Sequence, residues 1–201
     1  MTNHDDAIAR LIYEAGMLKR MPRMGWHYAS VGKGDVESVA EHSHRTALIA
    51  WLLACIDGAD ANKAAAMSLW HDSQETRVTD IAYVGRRYLD AIDNPTVTEH
   101  QTAGVPSDVA EKLRGLIGEY EARESAEAVI ARDADKLECL VQAREYQAAG
   151  HGDCSDWIKS MREALKTSTA QRLAEVMISM HPHEWWRHVV SEADELRNRP
   201  R

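Results

Sequence analysis

The segment SLWHDSQE, residues 68–75, sets His71 beside Asp72 at what reads as the end of an apolar helix. Adjacent helical side chains diverge by about 100°, so packing gives no reason for the pair. A cation lying against the flank of the helix does give one, because the longer imidazole and the shorter carboxylate can reach it from two sides. Glu75 comes four residues after His71 and three after Asp72, on the same face one turn further on. A carboxylate there that is not itself a ligand is placed to carry a proton to or from a reacting group. The pair needs further ligands from elsewhere in the chain.

Among ten histidines, His42 stands apart because it lies in the first turns of an otherwise apolar helix. His44 points about 200° away from it and cannot share its task. His4, His100, His151, His181, His183 and His188 fall near ends, in loops or in polar surroundings, and read as surface residues. ARDADKLECL, residues 131–140, supplies Asp133 and Asp135 in the middle of a long helix of good formers. Aspartate is unfavourable there and asks for a partner; the two face nearly opposite ways, so only one belongs to a common site. Two neutral imidazoles and two carboxylates suit a borderline divalent ion such as Zn²⁺, Co²⁺ or Mn²⁺, with positions left for water and substrate.

Helices must position these groups. Apolar residues recur at helical spacing almost throughout, and no stretch alternates as a strand does. The pattern predicts a helix over 4–21, closed by Pro22, then a loop over 22–37 with glycines at 25, 32 and 34. Ser38 followed by Glu41 is a capping-box pattern ahead of an apolar run, which predicts a helix to about Asp57. Further helices are expected over 60–76, 106–121, 124–149, 155–166, 168–180 and 182–197, with a looser, partly helical stretch between 77 and 108. Trp51 and Trp70 read as core, and the paired tryptophans of HPHEWWRHVV, residues 181–190, as core or a subunit contact. No repeat, low-complexity tract or linker divides the chain, so one all-α domain over 1–201 is the expectation.

The bulk composition narrows the field. A length of 201 residues suits one well-buried domain. A net charge of −8 argues against a sequence-independent nucleic-acid binder, yet a few local arginines can still hold one phosphate. Three cysteines without a CxxC pair fit a reducing compartment. The start MTNHDDAIARLIYEAG lacks the pattern of a signal peptide. The longest apolar run, ALIAWLLACI, is about half of what a bilayer crossing needs. A cytoplasmic protein without a membrane partner is expected.

Taken in order, His42, the His71–Asp72 doublet and Asp135 resemble the H…HD…D signature of the HD-domain metal-dependent phosphohydrolases. His71 follows His42 by 29 positions, and Asp135 follows Asp72 by 63. LKRMPRMGW (18–26), ESVAEHSHRTALIA (37–50), HDSQE (71–75) and DADKLECLVQAREY (133–146) are similar to successive blocks of the HD-domain 5′-deoxynucleotidase family. The resemblance covers about residues 8–150; the helices over 155–197 carry none of its motifs. It implies an all-α bundle of the HD type, a divalent ion (Co, Mn, Zn or Mg) and Asp135 rather than Asp133 as the fourth ligand. It also implies that Arg23 grips substrate phosphate, Trp26 packs against a deoxyribose, Glu75 serves as acid/base and Asp80 holds the sugar 3′-hydroxyl. The family pattern has glycine just before that aspartate and often a proline shortly after it; this chain has Thr79 and Tyr83.

The activity implied is release of the 5′-phosphate from deoxyribonucleoside 5′-monophosphates by a homodimer. One alternative is a deoxynucleoside triphosphate triphosphohydrolase, for which Lys33, Arg77, Arg86 and Arg87 are the candidate extra phosphate contacts. A second, from a different class, is a nucleotide-binding HD-fold protein without turnover.

Overall fold

Capping and helix ends, rather than long amphipathic faces, decide where this chain turns. The computed structural model describes residues 4–90 and 93–197. Helix α1 (His4–Ala15) tightens into a 3₁₀ turn at Gly16–Arg20, and a second 3₁₀ turn, Met24–Ala29, follows Pro22. Then come α2 (Val39–Asp57), α3 (Ala61–Trp70), α4 (Glu75–Val78), α5 (Tyr83–Arg86), α6 (Asn94–Gln101), α7 (Ser107–Ala122), α8 (Ala126–Ala148), α9 (Ser155–Ala164), α10 (Ser168–Ser179) and α11 (Glu184–Arg197). Among the described residues there is no strand, only an isolated bridge between Pro22 and Ser38. The all-α expectation holds. No helix among the described residues is long and apolar enough to cross a membrane.

The expected capping box forms: Ser38 accepts from the Glu41 N–H, and Glu41 reaches back to the Ser38 N–H at 2.6 Å. This anchors the first turn of α2, in which His42 sits. Gly58, at φ 75°, ends the same helix in the left-handed region that costs glycine least. Helices α2, α3 and α8 pack on one another around Ala50, Leu53, Ala54, Ala64, Ala134, Leu137 and Leu140, all fully buried. Small alanines at these crossings let the helix backbones approach closely. The buried leucines contribute about 1.5–3 kcal/mol each. A second cluster packs Trp26, Ala29 and Val31 against Cys139, Ala143 and Tyr146 of α8, which fixes the Met24–Ala29 turn to the helix that carries Asp135. Gly152 secures the same turn from the other side, because a Cβ there would lie 2.4 Å from the Ala29 carbonyl oxygen.

Three expectations are corrected. The helix expected over 60–76 stops at Trp70, and residues 71–74 turn before α4 begins at Glu75. The loop expected over 22–37 contains the Met24–Ala29 turn. Trp51 is not core: it is 45% exposed, in line with Leu48, Leu52 and Ile56 on the outer face of α2. That helix is apolar on both faces, and its Ala50–Leu53–Ala54 face is the one that meets α3 and α8.

Asp133 has a structural task. Its buried carboxylate accepts the Lys166 N–H at 2.9 Å and the Thr167 N–H at 2.7 Å, tying α8 to the start of α10. Asp133→Ala is therefore expected to cost about 1–3 kcal/mol through the orphaned donors and to leave metal content unchanged. Urea unfolding with parallel elemental analysis checks both parts.

Candidate metal centre and pocket

The end of α3 answers the question of the adjacent ligands. Because the helix stops at Trp70, its last-turn carbonyls are free, and the Ser68 carbonyl accepts a hydrogen bond from His71 Nδ1 at 2.6 Å. That bond fixes the proton on Nδ1 and turns the Nε2 lone pair inward. There His71 Nε2 lies 3.1 Å from Asp72 Oδ2. From α2, His42 Nε2 approaches His71 Nε2 at 3.3 Å and Asp72 Oδ2 at 3.6 Å. From α8, Asp135 Oδ1 lies 3.4 Å from His42 Nε2. The structure thus brings all four expected ligands together, and Asp133 faces away.

The donor types fit a cation. Ligand atoms about 2.0–2.2 Å from one metal at tetrahedral or octahedral angles stand about 3.0–3.5 Å apart, close to the spacing of His42, His71 and Asp72, while Asp135 approaches the group through His42. His42 Nδ1 is hydrogen-bonded to the buried Glu138 carboxylate, which leaves its Nε2 as an acceptor too. Two imidazole acceptors 3.3 Å apart repel unless a positive charge lies between them. With no cation bound, a proton on His42 supplies that charge. Burial and Arg23 oppose a charge on His42, yet Asp135 and Glu138 outweigh them and push its pKa up to about 10. Burial works against ionised Asp72, but His71, His42 and Arg23 hold its carboxyl well below the usual range.

The supporting shell was missed in the sequence. Glu138 follows Asp135 by three residues, and Arg45 follows His42 by three, so each shares a helix face with a ligand. Arg45 donates to Glu138 through Nε at 2.9 Å and to Glu145 at 2.7 Å. Spacing of three from a candidate ligand was the available signal. Tyr120 of α7 closes the site with its ring 5.4 Å from His71.

A cavity of about 870 Å³ opens over the ligands, and Arg23, Trp26, Glu75 and Asp80 all line it. Arg23 Nη1 lies 3.2 Å from Asp72 Oδ2. Glu75 is buried, and its Oε2 has no hydrogen-bond partner. Burial first, then the Asp72 and Asp80 carboxylates, raise its pKa to about 9, so it carries a proton at neutral pH. One oxygen of Asp80 is bound by the Met24 N–H. Trp26 is only 2% exposed; its Nε1–H donates to Glu37 at 2.8 Å, and its ring meets Tyr146 and Trp157. It is a plug that shows an edge to the cavity. Glu37 is itself buried, and desolvation with the nearby Glu138 charge raises its pKa to about 7. Lys136, whose Nζ is 2.7 Å from Asp135 Oδ2, adds a cation to the wall that the sequence reading did not single out.

Helices that gather two histidines and two carboxylates at the base of one cavity define an all-helical metal-binding domain. The chain belongs to the HD domain family, whose model matches residues 15–177. It is 34% identical over 146 residues to 5′-deoxynucleotidase HDDC2 of Homo sapiens, covering 68% of this chain and 66% of that protein, just under two-thirds of the relative's length. The Mus musculus protein of the same name is 33% identical, with 70% of each chain covered. Among solved structures, a conserved hypothetical protein from Pyrococcus furiosus superposes with a TM-score of 0.68 at 31% identity, covering 85% of this chain and 98% of that one.

Proposed function

We propose that this protein is a metal-dependent phosphomonoesterase acting on deoxyribonucleoside 5′-monophosphates. The observation that carries the proposal is the convergence of His42, His71, Asp72 and Asp135 beneath a cavity that also holds a proton-bearing Glu75 and the Arg23 guanidinium. Relatives named 5′-deoxynucleotidase support the substrate class. His42, His71, Asp72 and Asp135 would hold a divalent ion, which would supply Lewis acidity and lower the pKa of water toward neutrality. Zn²⁺, Co²⁺ and Mn²⁺ match the mixed nitrogen and oxygen donors better than Mg²⁺.

The chain's own groups do the rest. Arg23, already beside Asp72, offsets charge on the non-bridging phosphate oxygens with its planar fork. Glu75 gives its proton to the departing 5′-oxygen, the task for which a buried, neutral carboxyl is suited. Asp80 accepts from the sugar 3′-hydroxyl, and the edge of Trp26 leaves no room for a 2′-hydroxyl. Arg77 is engaged with Glu14 at 2.7 Å, Lys33 and Arg87 do not line the cavity, and of the four candidate extra contacts only Arg86 does.

The remaining readings follow the surface. Trp185, Trp186, Val189 and Val190 of α11 are exposed, as is the Leu48–Trp51–Leu52–Ile56 stripe of α2; we take a homodimer to cover such faces. Three free thiols accord with the cytoplasm.

Incubating the pure protein with dAMP, AMP and dATP in Mn²⁺ or Co²⁺ tests the function. The expected result is inorganic phosphate from dAMP, with kcat/KM for AMP lower by about 10²-fold, the usual reach of exclusion by shape. Triphosphate released from dATP would favour the triphosphohydrolase alternative. Tight nucleotide binding without any metal-dependent release would favour the non-catalytic one.

A further inference from the structure

Thr79 has a backbone that threonine rarely adopts. Its φ of 65° and ψ of 162° lie in a region essentially reserved for glycine, and a β-branched residue there is strained. The turn itself is needed. The Thr79 N–H closes α4 on the Glu75 carbonyl at 2.7 Å, and the chain then reverses so that Asp80 meets the Met24 N–H. Glycine would make that turn without strain, so the side chain must repay its cost in another way.

Position suggests how. Thr79 is exposed and lines the cavity between Val78 and Asp80, with Ile81 and Ala82 next along the same wall. Its hydroxyl makes no hydrogen bond within the described chain, so on this apolar stretch Thr79 and Asp80 are the polar side chains. A sugar hydroxyl both donates and accepts, whereas a carboxylate only accepts. Asp80 can take the proton of a ligand hydroxyl but leaves its oxygen unserved. The threonine hydroxyl is the complementary donor. We infer that Thr79 is a substrate-contact residue that donates to the sugar hydroxyl accepted by Asp80, a step that rests on the nucleotide reading above.

Three variants test it. Thr79→Val keeps the branched shape and the strain but removes the hydroxyl. It should lower kcat/KM for dAMP by about three- to tenfold, the worth of one neutral hydrogen bond, with no change for 2′,3′-dideoxyadenosine 5′-monophosphate. Thr79→Ser should keep the wild-type preference. Thr79→Gly should lose as much on dAMP as the valine variant while its Tm rises by about 2–4 °C, because the strain is released. A valine variant that matches wild type on dAMP, or that loses equally on both substrates, overturns the assignment. Wild type is measured first: no phosphate from dAMP overturns the nucleotide reading and this inference with it, whereas an active wild type with an indifferent valine variant overturns Thr79 alone.

Discussion

Asp72→Ala is expected to empty the metal site and reduce phosphate release to background. Asp72 Oδ2 stands 3.1 Å from His71 Nε2 and 3.6 Å from His42 Nε2, so its loss opens one side of a single-ion site. It also removes negative charge from the cluster that would hold the cation. Loss of a group one shell further out, such as Glu138, costs about 10–100-fold in metal affinity; loss of a direct carboxylate ligand should exceed that. The fold should survive, because Asp72 contributes to the cavity wall rather than to either apolar cluster. Elemental analysis after dialysis, with circular dichroism as the control, measures the effect. Full metal occupancy in the variant would remove Asp72 from the ligand set.

Glu75→Gln is expected to keep the metal and the fold while lowering kcat by about 10²–10⁴, the range for a positioned proton-transfer group. Glutamine has the same shape, and Glu75 is itself neutral below about pH 9, so the exchange disturbs little in the resting protein. An unchanged kcat would return Glu75 to a packing role. Stability gives a second readout. The folded-state pKa of Glu75 is raised from 4.5 to about 9, so the folded chain binds the extra proton between those values and the unfolded chain does not. Stability of the metal-free wild type therefore falls as pH rises through that window. The variant should show a shallower slope above about pH 7, keeping the part that His42 contributes because its pKa is raised from 6.5 to about 10. Below it a part should persist, because Glu37 titrates at about 7. Thermal melts of metal-free protein across pH 4.5–9 separate the two.

The candidate ligands were legible because helical geometry makes side-chain type and spacing informative at close range. An unpartnered His–Asp doublet and a histidine one turn past a capping box each break an ordinary pattern and lie at the site; of the two mid-helix aspartates, the family resemblance alone pointed to Asp135, and Asp133 ties α8 to α10 instead. The capping box and the bounds of α2, α7, α8 and α10 were legible for the same reason, since their signals lie within a turn of the residues they govern. What the sequence did not disclose depends on which faces meet. Glu138 and Arg45 look like ordinary surface charges until α2 packs on α8 and brings them to His42. Trp51 looks like core because both faces of α2 are apolar, and only contact with α3 and α8 selects the one that is buried. The break after Trp70 carries no glycine or proline. It follows from His71 settling against the Ser68 carbonyl, His42 of α2 and Tyr120 of α7, contacts that override the weak local preference to continue. Thr79 is the sharpest case: its identity argues against the turn it makes, and that turn is held by Met24, more than fifty residues earlier in the chain. Local sequence determined what each segment could become and which residues could do chemistry. Long-range packing decided which of those residues meet, because burial energy is set by surfaces that come together only when the helices are assembled.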